Sequence, residues 1–422
     1  MKRRSFLATA TAAVGLPLLA HEKSNAQPQP VNMITPANTH FDAIVLGVGS
    51  MGSATVWQLA QRGHRVLGIE QFDISHDQGS HAGQSRIIRK SYFEHPDYVP
   101  LLQRSYSNLA AFEKETGAKI SHKAGVLYFG KQGNELTAGV ENSANIYKLP
   151  LQKPTREEAA KQFSAFNIPA DYDIVFEPDA GFMTPERTIL TYTEEAIRLG
   201  ATIQTKESVQ SWKQEGNLVR VTTDKGNYTT DKLIITAGGW APYFIPQLKT
   251  ELTITKQMIM WVNPKSWKPF TYGNFPCWIL EDPEKGSYYG FPIVPTKDFG
   301  GPLGLKLAHH QHGEVTDAKN VNRAVTPGTE DDLMAILNKY IPGAVGSILS
   351  LKSCLYTNSK DQHFIIDHLP GTDKRVTIAT GFSGHGFKFV PVVGEILADL
   401  AIKGKTELPI GFLGMKRLVS GR

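Results

Sequence analysis

The sequence predicts an α/β fold in which a parallel-sheet domain is interleaved with a second, mostly antiparallel-sheet domain. Three observations carry this. A short apolar strand, a glycine-rich turn, a helical pattern and a second strand follow one another from Phe41 to Glu70. Two further apolar strands run into glycines, Lys232–Thr236 before Ala237-Gly238-Gly239-Trp240 and Arg375–Thr380 before Gly381. Between them, the stretch from about Glu251 to Tyr356 is rich in β-formers, aromatic residues and proline. Strands alternating with helices build parallel sheets, and runs of strands without helices build antiparallel ones.

The first residues read as an address. Lys2-Arg3-Arg4-Ser5-Phe6-Leu7 is a twin-arginine start, an Ala-rich stretch runs from Ala8 to Ala20, and Ser24-Asn25-Ala26 is a small-x-small cleavage site. Residues 1–26 are expected to be a twin-arginine signal, with the export machinery as partner and the periplasm or another exported location as destination. A basic disordered terminus is the plainer alternative. Residues 27–39 read as a Pro-bearing linker.

Phe41–Leu46 reads as a buried parallel strand. Gly47-Val48-Gly49-Ser50-Met51-Gly52 follows, then a helical pattern that stops at Gly63, then His64–Glu70, a strand ending in an acid. Gly47 permits the tight turn, Gly49 lets a pyrophosphate approach the backbone, and Gly52 allows close helix–strand packing. The helix N-terminus offers unpaired N–H groups to phosphate. Glu70 accepts hydrogen bonds from a ribose hydroxyl and disfavours a 2′-phosphate. Strand, GxGxxG, helix, strand and acid together predict a Rossmann-like dinucleotide site, without separating FAD from NAD.

Gly125–Gly130 reads as a strand. Thr184 is expected to cap a helix that has Pro185 at its first position, runs to about Leu199 and stops at Gly200. Strands are expected around Ala201, Leu218 and Tyr228, and helices over Glu330–Tyr340 and Phe389–Ile402. The domains then divide as 40–120, 180–253 and 357–422 for the nucleotide and 121–179 and 254–356 for the substrate.

The chain is 41% hydrophobic and 20% charged, which suits a globular protein with a sizeable core. No apolar run reaches the ~18 residues of a membrane span. Losing residues 1–26 would leave 41 basic against 39 acidic residues, a balance of +2 with no like-charge block, so nucleic acid is excluded as a partner. No CxxC or HExxH metal spacing occurs. The two cysteines, Cys277 and Cys354, can be read as a disulfide or as buried small side chains.

Several stretches narrow the choice: "DISHDQGSHAGQSRIIRKSYFEHPDYVPLLQRS" from Asp73, then "SYYGFP", "GLKLAHH", "SCLYTNSKDQHFIIDHLP" and "GFSGHGFKF". With the GxGxxG start, and in this order from Phe41 to the C-terminus, they resemble the monomeric sarcosine oxidase and N-methyltryptophan oxidase family. The resemblance implies an FAD-binding domain, a substrate domain, FAD as cofactor, an N-methyl amino acid and O2 as small-molecule partners, and a monomer.

The same resemblance implies site roles. Cys354 matches the position that forms a thioether to the flavin, which needs a thiolate near an electron-poor ring. Lys306 matches the lysine at the edge where O2 reacts, and His310 a nearby active-site histidine. Arg86 is placed against the flavin, and Arg89 with Lys388 around the substrate carboxylate, a pairing that suits a guanidinium and an ammonium. Tyr289 and Tyr356 match pocket tyrosines, although aromatic residues in such sheets usually serve as packing. Gly384, Gly386 and Lys388 belong to a loop whose N–H groups approach the flavin, and Ser80 and Ser85 to a second cofactor loop. The family pattern Gly-Ser-His-His-Gly-Asp-Thr-Arg is here Gly79-Ser80-His81-Ala82-Gly83-Gln84-Ser85-Arg86, so the second histidine is lost. His309 and His312 match nothing.

The function expected is therefore an exported FAD oxidase that demethylates N-methyl amino acids of the sarcosine or N-methyltryptophan type, yielding amino acid, formaldehyde and H2O2. The main alternative is an exported amino-acid or cyclic imino-acid dehydrogenase feeding the respiratory chain. An NAD-linked dehydrogenase is disfavoured by Cys354 and the C-terminal glycine loop, and a non-catalytic binding protein by Arg89, Lys306 and Lys388 together.

Overall fold

The computed structural model describes residues 39–310 and 313–419. The expected signal, all of the linker except Thr39, and His312 lie outside them.

The first sheet is built on the strand His40–Leu46, which runs parallel to Val66–Ile69 on one side and Asn227–Ile235 on the other. Its apolar run is continuous because both neighbours and both faces are covered. Strand order is Ile365–His368, Val376–Thr380, Asn227–Ile235, His40–Leu46, Val66–Ile69, Thr202–Gln204. A hairpin of Val209–Glu215 and Leu218–Thr223 extends Asn227–Ile235. The helix Ser50–Gln61 packs against Pro185–Arg198 and Val390–Lys403. Gly394 permits that approach, since a Cβ there would lie 2.8 Å from Ala54. Val390–Lys403 ends at Gly404 in the left-handed conformation, φ 71°.

The second sheet runs Glu314–Val315, Leu252–Pro264, Leu305–His309, Gly286–Phe291, Cys277–Asp282, Val126–Lys131, Tyr172–Glu177, with Gly346–Ser359 along Leu252–Pro264. It is antiparallel except for one parallel pair, Cys277–Asp282 with Val126–Lys131. Thr329–Tyr340 covers part of it as the expected helix. A small third sheet joins Arg86–Ile88, Gly181–Met183 and Ser121–Lys123.

Two details depart from the sequence reading. Thr184 precedes the helix Pro185–Arg198 but does not cap it; its hydroxyl donates to the Ile120 carbonyl at 3.3 Å. The helices Val99–Thr116 and Glu135–Tyr147 had no assignment, although Leu101, Leu102, Ser105, Leu109 and Phe112 mark a buried face at helical spacing. Among the described residues no helix is long and apolar enough to cross a membrane.

Candidate active site

The glycine turn and Glu70 open onto a crevice of about 1190 Å³ that reaches Arg86, Tyr356 and Gly384 at its far end. Gly47 has φ 91° and no room for a Cβ, which would meet Thr236 O at 2.8 Å. A Cβ on Gly52 would lie 1.9 Å from Gly47 O, so this glycine serves helix–strand packing. Gly49 differs, because a Cβ there meets no protein atom closer than 4.0 Å. The space above Gly49 belongs to the crevice, as close approach of a pyrophosphate requires. Among the described residues no side chain caps Ser50–Gln61, which leaves its first N–H groups to a ligand, and Ser50 and Met51 line the opening. The Glu70 carboxylate receives Val48 N–H at 3.0 Å and Phe72 N–H at 3.1 Å. Burial pushes its carboxyl up and these N–H bonds pull it back. His81, on the crevice wall, keeps a buried Nε2 with no hydrogen-bond partner among the described residues. An extended crevice with a bare turn, a fixed acid and an orphaned donor–acceptor fits FAD.

The loop from Gly79 to Arg86 closes the far end. Ser80 lines the crevice, and Arg86 Nη2 donates to the Ser80 and Ala82 carbonyls, both at 2.8 Å. Lys306, expected at a strand position that ordinarily faces solvent, is 1% exposed. Its Nζ donates to Gly83 O at 2.6 Å, Ser85 O at 2.7 Å and Ser85 Oγ at 3.1 Å. Burial first, then the like charge of Arg86, push the ammonium well below the ordinary lysine range.

A second cavity of about 550 Å³ shares Arg86, Tyr356, Gly384 and Phe387 with the crevice. Its lining brings Arg89 and Lys388 together, both buried. Arg89 is already engaged: Nη2 lies 2.7 Å from each oxygen of Glu94, and Nη1 donates to Ser91 O at 2.9 Å. Burial opposes the Glu94 charge, but Arg89, His385 and Lys388 outweigh it and hold the carboxyl at about 2. Lys388 Nζ donates to His385 O at 2.7 Å. Burial and Arg89 lower its ammonium to about 7. His385 is held by the Tyr92 hydroxyl at 2.5 Å and the Gln362 carbonyl at 3.0 Å.

Period-two alternation puts the remaining candidates on one face of the second sheet. Across it, Tyr128 pairs with Ile279, Ile279 with Tyr289, Tyr289 with Ala308 and Ala308 with Ile259. Lys306 and His310 stand two residues either side of Ala308 and share its face. Burial holds His310 neutral, at about 4, and raises the phenols of Tyr289 and Tyr356. Cys354 and Cys277 are both free, and they pack in separate clusters. Burial raises the Cys354 thiol, while Arg86 and Lys306 pull it down.

The glycine loop 381–386 has a second cause besides any ligand. Gly384 sits at φ 79°, and a Cβ there would lie 2.1 Å from the Tyr356 ring. Gly386 would strike Phe382 at 2.6 Å. His309, set aside in the sequence, is structural: it stacks on Tyr288 at 4.0 Å and faces Asp332 at 3.1 Å. The sequence reading missed Glu94, His385, Tyr92 and Glu177. Glu177 is buried and accepts Lys90 N–H at 2.8 Å and the Tyr128 hydroxyl at 3.0 Å, which fixes the turn after Arg89. A carboxylate five residues from Arg89 was a visible signal for Glu94; nothing local marked Glu177.

The FAD-dependent oxidoreductase model DAO matches residues 42–400. The chain is 38% identical to monomeric sarcosine oxidase of Streptomyces avermitilis, over 90% of this chain and 98% of that protein. It is 32% identical to N-methyl-L-tryptophan oxidase of Yersinia pestis, over 89% of this chain and 99% of that one. The fold matches NikD, an amino acid oxidase of nikkomycin biosynthesis, at a TM-score of 0.76 and 22% identity, covering 89% and 97% of the two chains. By the family model and these relatives, and in keeping with its glycine turn and crevice, the chain belongs to the DAO family of FAD-dependent oxidoreductases.

Proposed function

We propose that this protein oxidises an N-methyl amino acid at its CH–NH group, with water and O2 consumed and the free amino acid, formaldehyde and H2O2 released. The observation that carries the reading is the pair of buried cations, Arg89 and Lys388, in a cavity that opens onto the cofactor crevice. Two adjacent buried cations favour a carboxylate and penalise a plain amine. When bound, FAD supplies the two-electron acceptor.

The chain's own residues do the rest. Arg89 and Lys388 seat the carboxylate. Their charges, with Arg86 nearby, disfavour an ammonium in the same cavity, so the amine is held in its neutral form. His310, Tyr289 and Tyr356 are neutral and add no charge of their own. Lys306, while protonated, places a positive charge where negative charge develops on O2. Cys354, buried beside Arg86 and Lys306, is the proposed covalent anchor of FAD. On the twin-arginine pattern, the protein is proposed to leave the cytoplasm folded and loaded.

A peroxide-coupled screen of sarcosine, N-methyltryptophan and cyclic imino acids tests the reaction. Sarcosine or N-methyltryptophan should give peroxide and formaldehyde in equal amounts. Anaerobic reduction followed by mixing with O2 tests the acceptor: reoxidation too slow to sustain turnover sinks the oxidase reading and leaves a dehydrogenase.

A further inference from the structure

Two consecutive peptide units in the loop beside Lys306 each join one carboxylate to one cation. Glu186 Oε1 receives Gly83 N–H at 2.7 Å and Gln84 N–H at 3.1 Å. The carbonyl of the Ala82–Gly83 peptide accepts from Arg86 Nη2 at 2.8 Å, and that of the Gly83–Gln84 peptide accepts from Lys306 Nζ at 2.6 Å. The arrangement needs an unusual backbone, with Gly83 at φ 118° and Gln84 at φ 71°. These angles turn both N–H groups toward one oxygen and send the carbonyls toward the cations. The Gln84 side chain holds the turn in place, donating to Gly300 O at 2.5 Å and accepting from Trp261 Nε1 at 3.0 Å.

We propose that Glu186 is the positioning residue that keeps Lys306 protonated, acting through the Gly83–Gln84 peptide rather than by contact. A carboxylate on the N–H of a peptide polarises its carbonyl, which then binds a cation more strongly. No direct ion pair joins Glu186 to Lys306 among the described residues. Among the described residues, the groups that bear most on Lys306 are Arg86, Glu186, the thiols of Cys354 and Cys277, the Ser85 hydroxyl, and the rings of Phe291 and Trp261. Glu186 is the one carboxylate among them. It stays ionised because Gln84 N–H, Gly83 N–H and Arg86 overcome the effect of burial. Arg86 repels the Lys306 ammonium, and Glu186 is the largest charge that offsets this repulsion. Glu186 is placed by its helix: it is the second residue of Pro185–Arg198, where a carboxylate also suits the helix N-terminus.

The test is a pH titration of the Lys306 ε-carbon by NMR, on holoenzyme with 13C-labelled lysine, the signal being assigned by its loss in Lys306→Met. In Glu186→Gln, whose side chain keeps a carbonyl oxygen for the two N–H bonds, the midpoint should fall by one pH unit or more, a tenfold change in proton affinity. Glu186→Asp should restore most of it. An unchanged midpoint in Glu186→Gln overturns the proposal. Should that variant not fold, the coupling is read from the other end, because linkage is reciprocal. Lys306→Met must then raise the pH at which the Glu186 carboxyl titrates, and no change overturns the proposal equally. The proposal deepens the reading of Lys306 as the O2-side cation, but the titration does not depend on that reading. If the reading holds, Glu186→Gln also slows reoxidation by O2 about tenfold at the pH where Lys306 has lost its proton. If Lys306→Met reoxidises at the wild-type rate, the reading fails while the titration still decides the role of Glu186.

Discussion

Arg89 and Glu94 form an ion pair inside the cavity, with Arg89 Nη2 2.7 Å from both carboxylate oxygens. The same guanidinium is the proposed anchor for a substrate carboxylate. On the proposed reading a substrate carboxylate competes with Glu94 for Arg89, and Glu94 keeps Arg89 satisfied in the ligand-free protein.

Glu94→Gln should then separate stability from affinity. Removing the anion leaves Arg89 and Lys388 buried without a full counter-charge, which costs about 3 kcal/mol in the ligand-free protein. The melting temperature should fall and recover in saturating acetate. KM for the amino acid should drop several-fold. A raised KM would show that the carboxylate does not seat on Arg89.

Carboxylate binding should weaken as pH rises through about 7. Lys388 titrates there in the ligand-free pocket, lowered by burial and Arg89. It is charged below that pH and neutral above it. A bound anion raises its proton affinity, so binding takes up a proton above pH 7 and weakens by up to about tenfold per pH unit. Acetate, which stays ionised over this range, reads the effect without titration of a substrate amine. Lys388→Arg should remove the break, because a guanidinium does not deprotonate.

Gly49 and Gly52 should respond differently to alanine. A Cβ on Gly49 meets nothing closer than 4.0 Å in the protein, whereas one on Gly52 lies 1.9 Å from Gly47 O. Gly49→Ala should fold with near-normal apoprotein stability and purify with little flavin. Gly52→Ala should lose stability whether or not FAD is supplied. Equal flavin content in Gly49→Ala and wild type would remove the pyrophosphate from that turn.

Cys354→Ala should leave flavin that dissolves on acid precipitation, whereas the wild-type flavin should stay with the pellet. The thiol packs among Ile259, Trp261, Ala308 and Tyr356, so the variant should still fold. Flavin that remains bound to the acid-precipitated variant would refute the anchor.

How far the sequence could be read depended on distance along the chain. The turn Gly47–Gly52 and the acid Glu70 were legible because strand, turn, helix and strand are contiguous, and each glycine has a local steric reason. The helix Val390–Lys403 was legible for the same reason, from its apolar pattern and the glycine at its end. Lys306 was different. Its spacing alone argued for a solvent-facing lysine, and the family resemblance supplied its role without its environment.

That environment is assembled from segments far apart. Lys306 is buried because Trp261 and Phe291 flank it on neighbouring strands and the loop 83–85, more than 200 residues away, lies across its Nζ. Glu177 reaches Lys90 across 87 residues, and Glu186 reaches Gly83 and Gln84 across 103 and 102. Local pattern reports short-range backbone geometry and which face is apolar. Charge state and the partners of a buried cation depend on desolvation and on groups brought together by the sheet register, which no window of sequence contains. The nucleotide module and the family thus followed from residue order, whereas the engagement of Arg89 by Glu94 and the peptide link from Glu186 to Lys306 appeared once the chain was folded.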